Sequence, residues 1–247
     1  MCYGMQGRGT RDKPFKISPS MLGRFLDCSS CFINQHVGGV KRPSGPMAMI
    51  AGGLDRTLRR TMEAHHAAGN MPADFAAVPE LAGFELAPRE FVKGYQKIHP
   101  SQYIDVNGSI FMLHGELDEL FVRKNKDGVD EFLVADYKSK YGVDAAQKDP
   151  HPAFVRQLRL YAHILRSQGH VVHDTALLLN YYPTELSVVD EVHPVLQFLA
   201  DPVDVAPSTI TPLLTDLRSM ASAFEAQNAS GTLLAKNPDC NWCGYRA

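Results

Sequence analysis

The sequence lacks an excess of basic residues: 25 lysines and arginines stand against 27 aspartates and glutamates in 247 residues, a formal charge of −2 at pH 7. Proteins that coat nucleic acid without specificity usually carry a basic excess, so the balance argues against that class. It does not exclude an enzyme that acts on nucleic acid, because carboxylates at a metal site offset basic residues in the sum. Arg56, Arg59 and Arg60 form one local basic cluster.

The sequence also lacks an apolar run long enough to cross a bilayer, and residues 1–14 hold glycines and charges rather than a secretory signal. We therefore expect a cytoplasmic protein without a membrane partner, with a flexible N-terminal tail over residues 1–14 and a single domain over residues 15–247. Cysteine is scarce, at five residues. In a reducing compartment, paired cysteines more often bind metal or do redox work than form disulfides.

Apolar periodicity predicts four helices. The first begins at Ser18-Pro19, and the second carries Leu58 and Met62 and ends near Gly69. The other two cover residues 152–169 and 211–227. Residues 41–46 are predicted to be a loop and residues 70–88 a connector with a short helix, because both are rich in proline and glycine.

Three segments predict strands. Residues 111–122 and 131–138 flank the turn Asn125-Lys-Asp-Gly as a β-hairpin, and residues 175–182 form a short apolar run typical of a buried strand. Residues 187–195 are predicted to pair as a further strand. A strand, a helix and a second strand imply a right-handed crossover, so we expect an α/β fold with a mixed central sheet flanked by helices.

Acidic and basic side chains recur at the ends of the predicted hairpin. Asp136 and Lys138 are two apart in a strand and so share a face, and the hairpin brings Asp118 alongside. Two carboxylates can hold a hard cation such as magnesium, while an ammonium orients or deprotonates a water. The alternative is that Asp136 and Lys138 are simply polar residues at a strand end, which an isolated Asp-x-Lys favours.

A second pair lies on the helix that follows. Gln157 and Tyr161 are four apart and share a helical face, where an amide and a phenol can reach a nucleic-acid backbone. Taken alone, a tyrosine at the edge of the core beside a solvated glutamine is the simpler interpretation.

These residues form an ordered series with a known counterpart. The series is Ser18-Pro-Ser, Cys28, Gly115-Glu-Leu-Asp118, Asp136-Tyr-Lys138, Gln157-Leu-Arg-Leu-Tyr161 and Cys240-Asn-Trp-Cys243. It resembles the PD-(D/E)xK nuclease superfamily, and within it the RecB-type branch that includes CRISPR-associated exonucleases with an iron–sulfur cluster. The resemblance implies a restriction-endonuclease-like core and spans residues 18–245.

The resemblance also implies roles for single residues. Asp118 and Asp136 would ligate Mg²⁺ or Mn²⁺, with the Tyr137 carbonyl as a further ligand, Lys138 would be the catalytic lysine, and Gln157 and Tyr161 would hold a DNA strand near the metal. Where the branch usually has a histidine on its first core helix, this sequence has Asp55.

Asp55 is either a metal ligand or the partner of Arg59 one helical turn later. His65 and His66 are weaker alternatives on the same helix. His114 and Glu116 share the face of Asp118 by alternation, so either is a further candidate for the metal site.

The cysteines form two Cys-x-x-Cys pairs, Cys28–Cys31 and Cys240–Cys243, each able to grip an ion or one edge of a cluster. The related exonucleases use one N-terminal and three C-terminal cysteines for a [4Fe-4S] cluster. This sequence has two in its C-terminal pair, so Cys31 is expected to supply the fourth thiolate. A [4Fe-4S] cluster is preferred here and Zn²⁺ is the alternative.

The leading functional hypothesis is a metal-dependent, exonuclease-like enzyme that hydrolyses DNA in repair, recombination or CRISPR adaptation, with a helicase, recombination protein or CRISPR adaptation protein as partner. One alternative is a non-cleaving DNA-processing subunit of a larger assembly. The other alternative is a scaffold protein without a nucleic-acid role, held together by a cluster or zinc ion. This hypothesis gives no reason for the Gln157 and Tyr161 pair.

Overall fold

The computed structural model describes residues 9–36, 39–40, 49–95, 99–106, 108–139, 149–183 and 196–243. These residues form two units, one from Met1–Met47, Pro100–His114 and Thr209–Ala247 and the other from Ala48–His99 and Gly115–Ser208. None of the described helices is both long and apolar enough to cross a membrane.

The first unit combines a small sheet with three helices. Its strands are β1 (Phe15–Ile17), β3 (His99–Val106) and β4 (Ser109–Gly115), in the order β1-β4-β3, and its helices are α1 (Pro19–Asp27), α2 (Ser29–His36) and α7 (Thr211–Ser230). Ser18 caps α1 by accepting a hydrogen bond from the Met21 N–H, and Pro19 occupies the first helical position. Gly231, at φ 64°, ends α7.

The second unit is built on a six-stranded sheet. Its strands are β2 (Glu85–Leu86), β5 (Glu119–Lys124), β6 (Asp130–Ser139), β7 (Val171–Val172), β8 (Thr175–Pro183) and β9 (Leu196–Asp204), and the main path runs β2-β5-β6-β8-β9. Its helices are α3 (Met49–Ala68), α4 (Ala73–Ala76), α5 (Arg89–Tyr95) and α6 (Pro152–Ser167). Strands β5 and β6 are antiparallel, whereas β6 and β8 are parallel and joined by α6.

One face of the sheet in the second unit packs against helices in an apolar cluster. Leu133, Ala135 and Tyr137 of β6 pack with Met62 of α3 and Phe75 of α4 in one buried cluster. The intervening residues of β6 point to the opposite face, because side chains alternate along a strand. The polar residues of β6 therefore emerge opposite the α3 side of the sheet.

Most of the predicted elements are confirmed. The four predicted helices correspond to α1, α3, α6 and α7, the hairpin to β5 and β6, and the buried strand to β8. The mixed sheet flanked by helices confirms the predicted fold class. The predicted connector contains α4, a 3₁₀ turn at Pro79–Leu81 and β2.

One predicted strand is wrong. The sequence predicts a continuous arm over residues 111–122, but the structure divides it into β4 and β5, which belong to different sheets. Residues 116–118 between them are not in a strand, and the Leu117 N–H donates to the Tyr95 carbonyl at 2.9 Å. The alternation from His114 to Asp118 therefore does not hold.

Two other predictions fall largely on residues that are not described. The strand over residues 187–195 and the loop over residues 41–46 lie outside the described residues. Residues 1–8 of the predicted tail do so as well, while Gly9 is buried and its carbonyl accepts from the Ile110 N–H at 2.9 Å.

Candidate functional site

The polar end of β6 carries the first part of the site. Asp136 is buried, and its carboxylate pairs with the ammonium of Lys138, two residues on along the same face of the strand. The Lys138 Nζ also lies 4.8 Å from the centroid of the Phe154 ring of α6. The predicted common face of Asp136 and Lys138 is thus present, with an aromatic ring holding the ammonium in place.

Asp118 lies directly before β5 and is also buried, with a side chain that is 10% exposed. Its Oδ2 accepts the Tyr137 N–H at 3.1 Å, and its Oδ1 accepts Nη2 of Arg59 at 2.6 Å. The backbone of β6 and the side chain of α3 therefore fix the carboxylate from two directions.

The two carboxylates influence each other. Burial raises the pKa of Asp136 to about 7, the Lys138 ammonium opposes that rise, and the nearby Asp118 carboxylate adds to it. In the described structure Lys138 pairs with Asp136 and Arg59 pairs with Asp118. Two neighbouring buried carboxylates are hard oxygen donors, so the donor set fits Mg²⁺ or Mn²⁺.

Arg59 connects Asp118 to Asp55. The Arg59 Nε donates to both carboxylate oxygens of Asp55 at 3.2 and 3.3 Å, and the Asp55 side chain is 45% exposed. The i,i+4 pair that the sequence left open is thus present. The Arg59 guanidinium therefore donates to both Asp55 and Asp118. The role of Asp55 as a metal ligand stays a prediction.

Gln157 and Tyr161 are joined to the carboxylates through hydrogen bonds. The Gln157 Nε2 donates to Asp136 Oδ1 at 3.0 Å and lies 2.8 Å from the hydroxyl of Tyr161, which is only 4% exposed. Burial raises the pKa of Tyr161, as does the charge of Asp136. Gln157 therefore connects the residue predicted to contact substrate with a residue predicted to bind metal.

The Tyr161 ring packs so closely on residue 115 that a glycine is needed there. A Cβ atom at residue 115 would overlap Cε1 of the tyrosine ring and lie 3.0 Å from Cδ1. Only glycine leaves room for the ring, so the glycine of the Gly115-Glu-Leu-Asp118 segment allows Tyr161 to pack against the backbone.

A buried cluster behind the carboxylates was missed. Glu119 follows Asp118 and is almost fully buried, and its carboxylate accepts from the Tyr137 hydroxyl at 3.3 Å and the Leu120 N–H at 3.0 Å and pairs with His66 Nε2 at 3.1 Å. Burial and the charge of Glu119 raise the pKa of Tyr137. The cluster ties α3 to β5 and β6, and no signal in the sequence links these three positions.

The remaining predicted candidates are placed as follows. Glu116 is exposed and its charge raises the pKa of Arg59, after the larger effects of burial, which lowers that pKa, and of Asp118 and Asp55, which raise it. His65 Nδ1 lies 2.8 Å from the Asn70 side chain, away from the two carboxylates along α3. His114 belongs to the other unit.

The four predicted metal-binding cysteines meet within the first unit. The sulfurs of Cys28, Cys31, Cys240 and Cys243 all lie within 4.8 Å of one another, and the cysteines carry free thiols. Burial raises the pKa of Cys28. Burial also raises the pKa of Cys240, but the N–H groups of Cys243 and Trp242 outweigh it and lower that pKa to about 7. Such a set of four thiols fits a metal site.

Comparisons with known proteins identify the family. A model of the PD-(D/E)XK nuclease superfamily matches residues 41–247, which include both carboxylates, Lys138, Gln157 and Tyr161. The crystal structure of an alkaline exonuclease from Laribacter hongkongensis is similar at 10% identity and a TM-score of 0.47, covering 87% of this chain and 90% of that chain. No curated protein matches the sequence. Because the superfamily match extends over most of its length, the chain belongs to the PD-(D/E)XK nuclease superfamily.

Proposed function

We propose that this protein hydrolyses phosphodiester bonds in DNA at the centre formed by Asp118, Asp136 and Lys138. The observation that carries the proposal is the burial of two neighbouring carboxylates, Asp118 directly before β5 and Asp136 in the paired strand β6, beside the Lys138 ammonium in a chain that belongs to a nuclease superfamily. A buried charge cluster of this kind costs folding free energy and is typical of a functional site.

Asp118 and Asp136 would hold Mg²⁺ or Mn²⁺, with the Tyr137 carbonyl and Asp55 as further ligands. Once bound, such an ion lowers the pKa of a water from about 16 towards about 7 and thereby supplies a nucleophile at neutral pH. Arg59, whose guanidinium donates to Asp118 Oδ1 at 2.6 Å, would compete with a cation for that carboxylate.

The remaining residues act around that centre. Lys138, with its ammonium held between Asp136 and the Phe154 ring, is positioned to orient the attacking water and to offset charge on the scissile phosphate. Gln157 fixes the orientation of the Asp136 carboxylate by donating to Oδ1. Tyr161 in turn fixes Gln157, and the half-buried amide is the part of this pair that reaches the DNA strand.

We place the activity among exonuclease-like reactions of DNA repair, recombination or CRISPR adaptation, with a helicase, recombination or adaptation protein as partner. This placement rests on the resemblance to the RecB-type branch. The [4Fe-4S] cluster that this resemblance implies, or the alternative zinc ion, would be held by the four cysteines.

A cleavage assay tests the proposal. End-labelled single-stranded DNA, double-stranded DNA and RNA of one sequence are incubated with the full chain in Mg²⁺, Mn²⁺ or EDTA. We expect DNA cleavage in either metal and none in EDTA. Lys138→Gln should abolish cleavage, whereas Lys124→Gln, at an exposed residue of β5 that pairs with Asp130, should keep it. Wild-type protein that leaves every DNA uncut would favour the non-cleaving subunit.

A further inference from the structure

The four-cysteine group has a shape that distinguishes one kind of metal centre from another. The sulfur of Cys31 lies 3.3 Å from that of Cys243 and 3.7 Å from that of Cys240, and the sulfurs of Cys28 and Cys243 are 3.8 Å apart. The widest separation within the group is no more than 4.8 Å. These distances are those of four ligands gathered around a single point.

Sulfurs that share one tetrahedral ion must be this close. With metal–sulfur bonds of about 2.3 Å at tetrahedral angles, neighbouring sulfurs stand about 3.8 Å apart. In a [4Fe-4S] cluster each thiolate binds a different iron and projects outward from it, so the cysteine sulfurs stand roughly 6 Å apart. The observed spacing matches the first arrangement and is too narrow for the second.

The local backbone supports thiolates rather than thiols. The Cys31 N–H donates to the Cys28 sulfur at 3.4 Å, and the Asn237 N–H donates to the Cys243 sulfur at 3.2 Å. One sulfur of each Cys-x-x-Cys pair therefore accepts a backbone N–H, from within the pair at Cys28 and from the preceding segment at Cys243. Such donors stabilise the negative charge of a metal ligand.

We propose that Cys28, Cys31, Cys240 and Cys243 bind one zinc ion, in place of the four-iron cluster that the resemblance implies. Zinc is preferred over a single ferrous ion because divalent zinc binds a given thiolate site more tightly. All four positions are filled by protein ligands, which is the arrangement of a structural rather than a catalytic zinc site.

The ion joins two segments that are far apart in sequence. It fixes the junction of α1 and α2 to the segment that follows α7. Asn34 of α2 already binds that segment, because its amide donates to the Leu234 carbonyl at 2.9 Å and accepts the Leu234 N–H at 2.8 Å. The zinc site completes this attachment at the far end of the same segment.

Metal analysis of the purified chain tests the proposal independently of any nuclease activity. The protein is expressed with equal supplements of zinc and iron, purified without oxygen, and measured by elemental analysis and visible absorption. We expect about one zinc per chain, little iron and no absorption band near 400 nm. Incubation with ferrous iron and sulfide should leave the zinc in place and form no cluster. A brown protein with about four irons and acid-labile sulfide per chain would overturn the proposal.

Single substitutions assign the ligands. Cys31→Ser and Cys240→Ser should each lower the zinc content severalfold, while Cys2→Ser, at the one cysteine of the sequence outside the group, should leave it unchanged. Cobalt exchanged into the wild-type chain should give the strong visible bands of a tetrahedral four-thiolate site. This measurement uses the wild-type protein, so its result does not depend on whether a variant folds. Full zinc occupancy in Cys31→Ser, or cobalt bands of an octahedral site, would contradict the assignment.

Discussion

The divalent cation proposed at Asp118 would compete with Arg59 for an oxygen of that carboxylate. The Arg59 Nη2 lies 2.6 Å from Oδ1 of a carboxylate that is 10% exposed, so a metal ion that uses this oxygen must first displace the guanidinium. Removing the guanidinium by Arg59→Ala should therefore strengthen metal binding, even though it removes two ion pairs from the folded protein.

The size of the effect follows from the exposure of the two partners. A hydrogen bond to a charged group contributes about 1.5 to 3 kcal/mol when it is well buried. Because the Arg59 side chain is 41% exposed, solvent reduces the contribution, and we take about 1 kcal/mol. That corresponds to Mn²⁺ binding that is about fivefold tighter in Arg59→Ala.

Isothermal titration of Mn²⁺ into the two proteins measures this difference. Arg60→Ala is the matched control, because it removes an equal charge from the next, exposed position of α3, and its Mn²⁺ affinity should stay near that of the wild type. Thermal unfolding provides a second readout: without metal Arg59→Ala should unfold at a lower temperature than the wild type, and Mn²⁺ should recover more of the loss in the variant. Equal or weaker Mn²⁺ binding by Arg59→Ala would refute the competition.

Three further changes probe the surroundings of the carboxylates and the first unit. Gly115→Ala should destabilise the protein by about 1 to 3 kcal/mol in denaturant titration, because the added methyl displaces the Tyr161 ring, and an unchanged midpoint would contradict that packing. Gln157→Ala should lower kcat on the order of a hundredfold while Tyr161 and the fold stay in place, since the Asp136 carboxylate then keeps Lys138 but loses the donor that orients Oδ1; a change confined to KM would mean that Gln157 only binds substrate. His36 has a pKa lowered by burial and by Arg24, so the unfolded chain takes up more protons and stability should fall as the pH drops below about 6.5; His36→Gln should flatten that pH dependence of the unfolding free energy.

The predictable part of the fold is the part in which local signals agree. Helix α1 has a serine cap and a proline at its first position, and α6 has a similar cap at His151 followed by Pro152. The turn between β5 and β6 is fixed by Asn125, whose side chain accepts two backbone N–H groups, and by Gly128 at φ 74°. Such features act over a few residues, so the sequence alone reveals them.

The division of β4 from β5 depends on contacts that are distant in sequence. Phe111, Leu113 and Leu117 follow one alternating register, yet the chain leaves the strand conformation at residues 116–118. There the Leu117 N–H bonds to the Tyr95 carbonyl, and the adjacent Gly115 packs on Tyr161. Strand β9 was missed for a different reason. It contains Pro202, which weakens a strand pattern, but β9 lies at the edge of the sheet, where proline is tolerated.

The candidate site was predictable where two of its residues lie in one strand or helix at a spacing that places them on the same face. Asp136 with Lys138 and Gln157 with Tyr161 are each related by a fixed offset within one element. The contact of Arg59 with Asp118 joins residues 59 positions apart, and the pair of Glu119 with His66 spans 53. Contacts of this kind arise only when α3 packs on the sheet, so a single sequence carries no signal for them.

The most direct test of the account is single-turnover cleavage of labelled DNA by Asp136→Asn in Mg²⁺. Asparagine keeps the shape of the side chain and removes the charge that would bind the cation. Loss of about 4 kcal/mol of transition-state stabilisation predicts a rate on the order of a thousandfold slower than that of the wild type, with unchanged circular dichroism. Cleavage by Asp136→Asn at the wild-type rate, or wild-type cleavage that persists in EDTA, would contradict a metal centre built on Asp118 and Asp136.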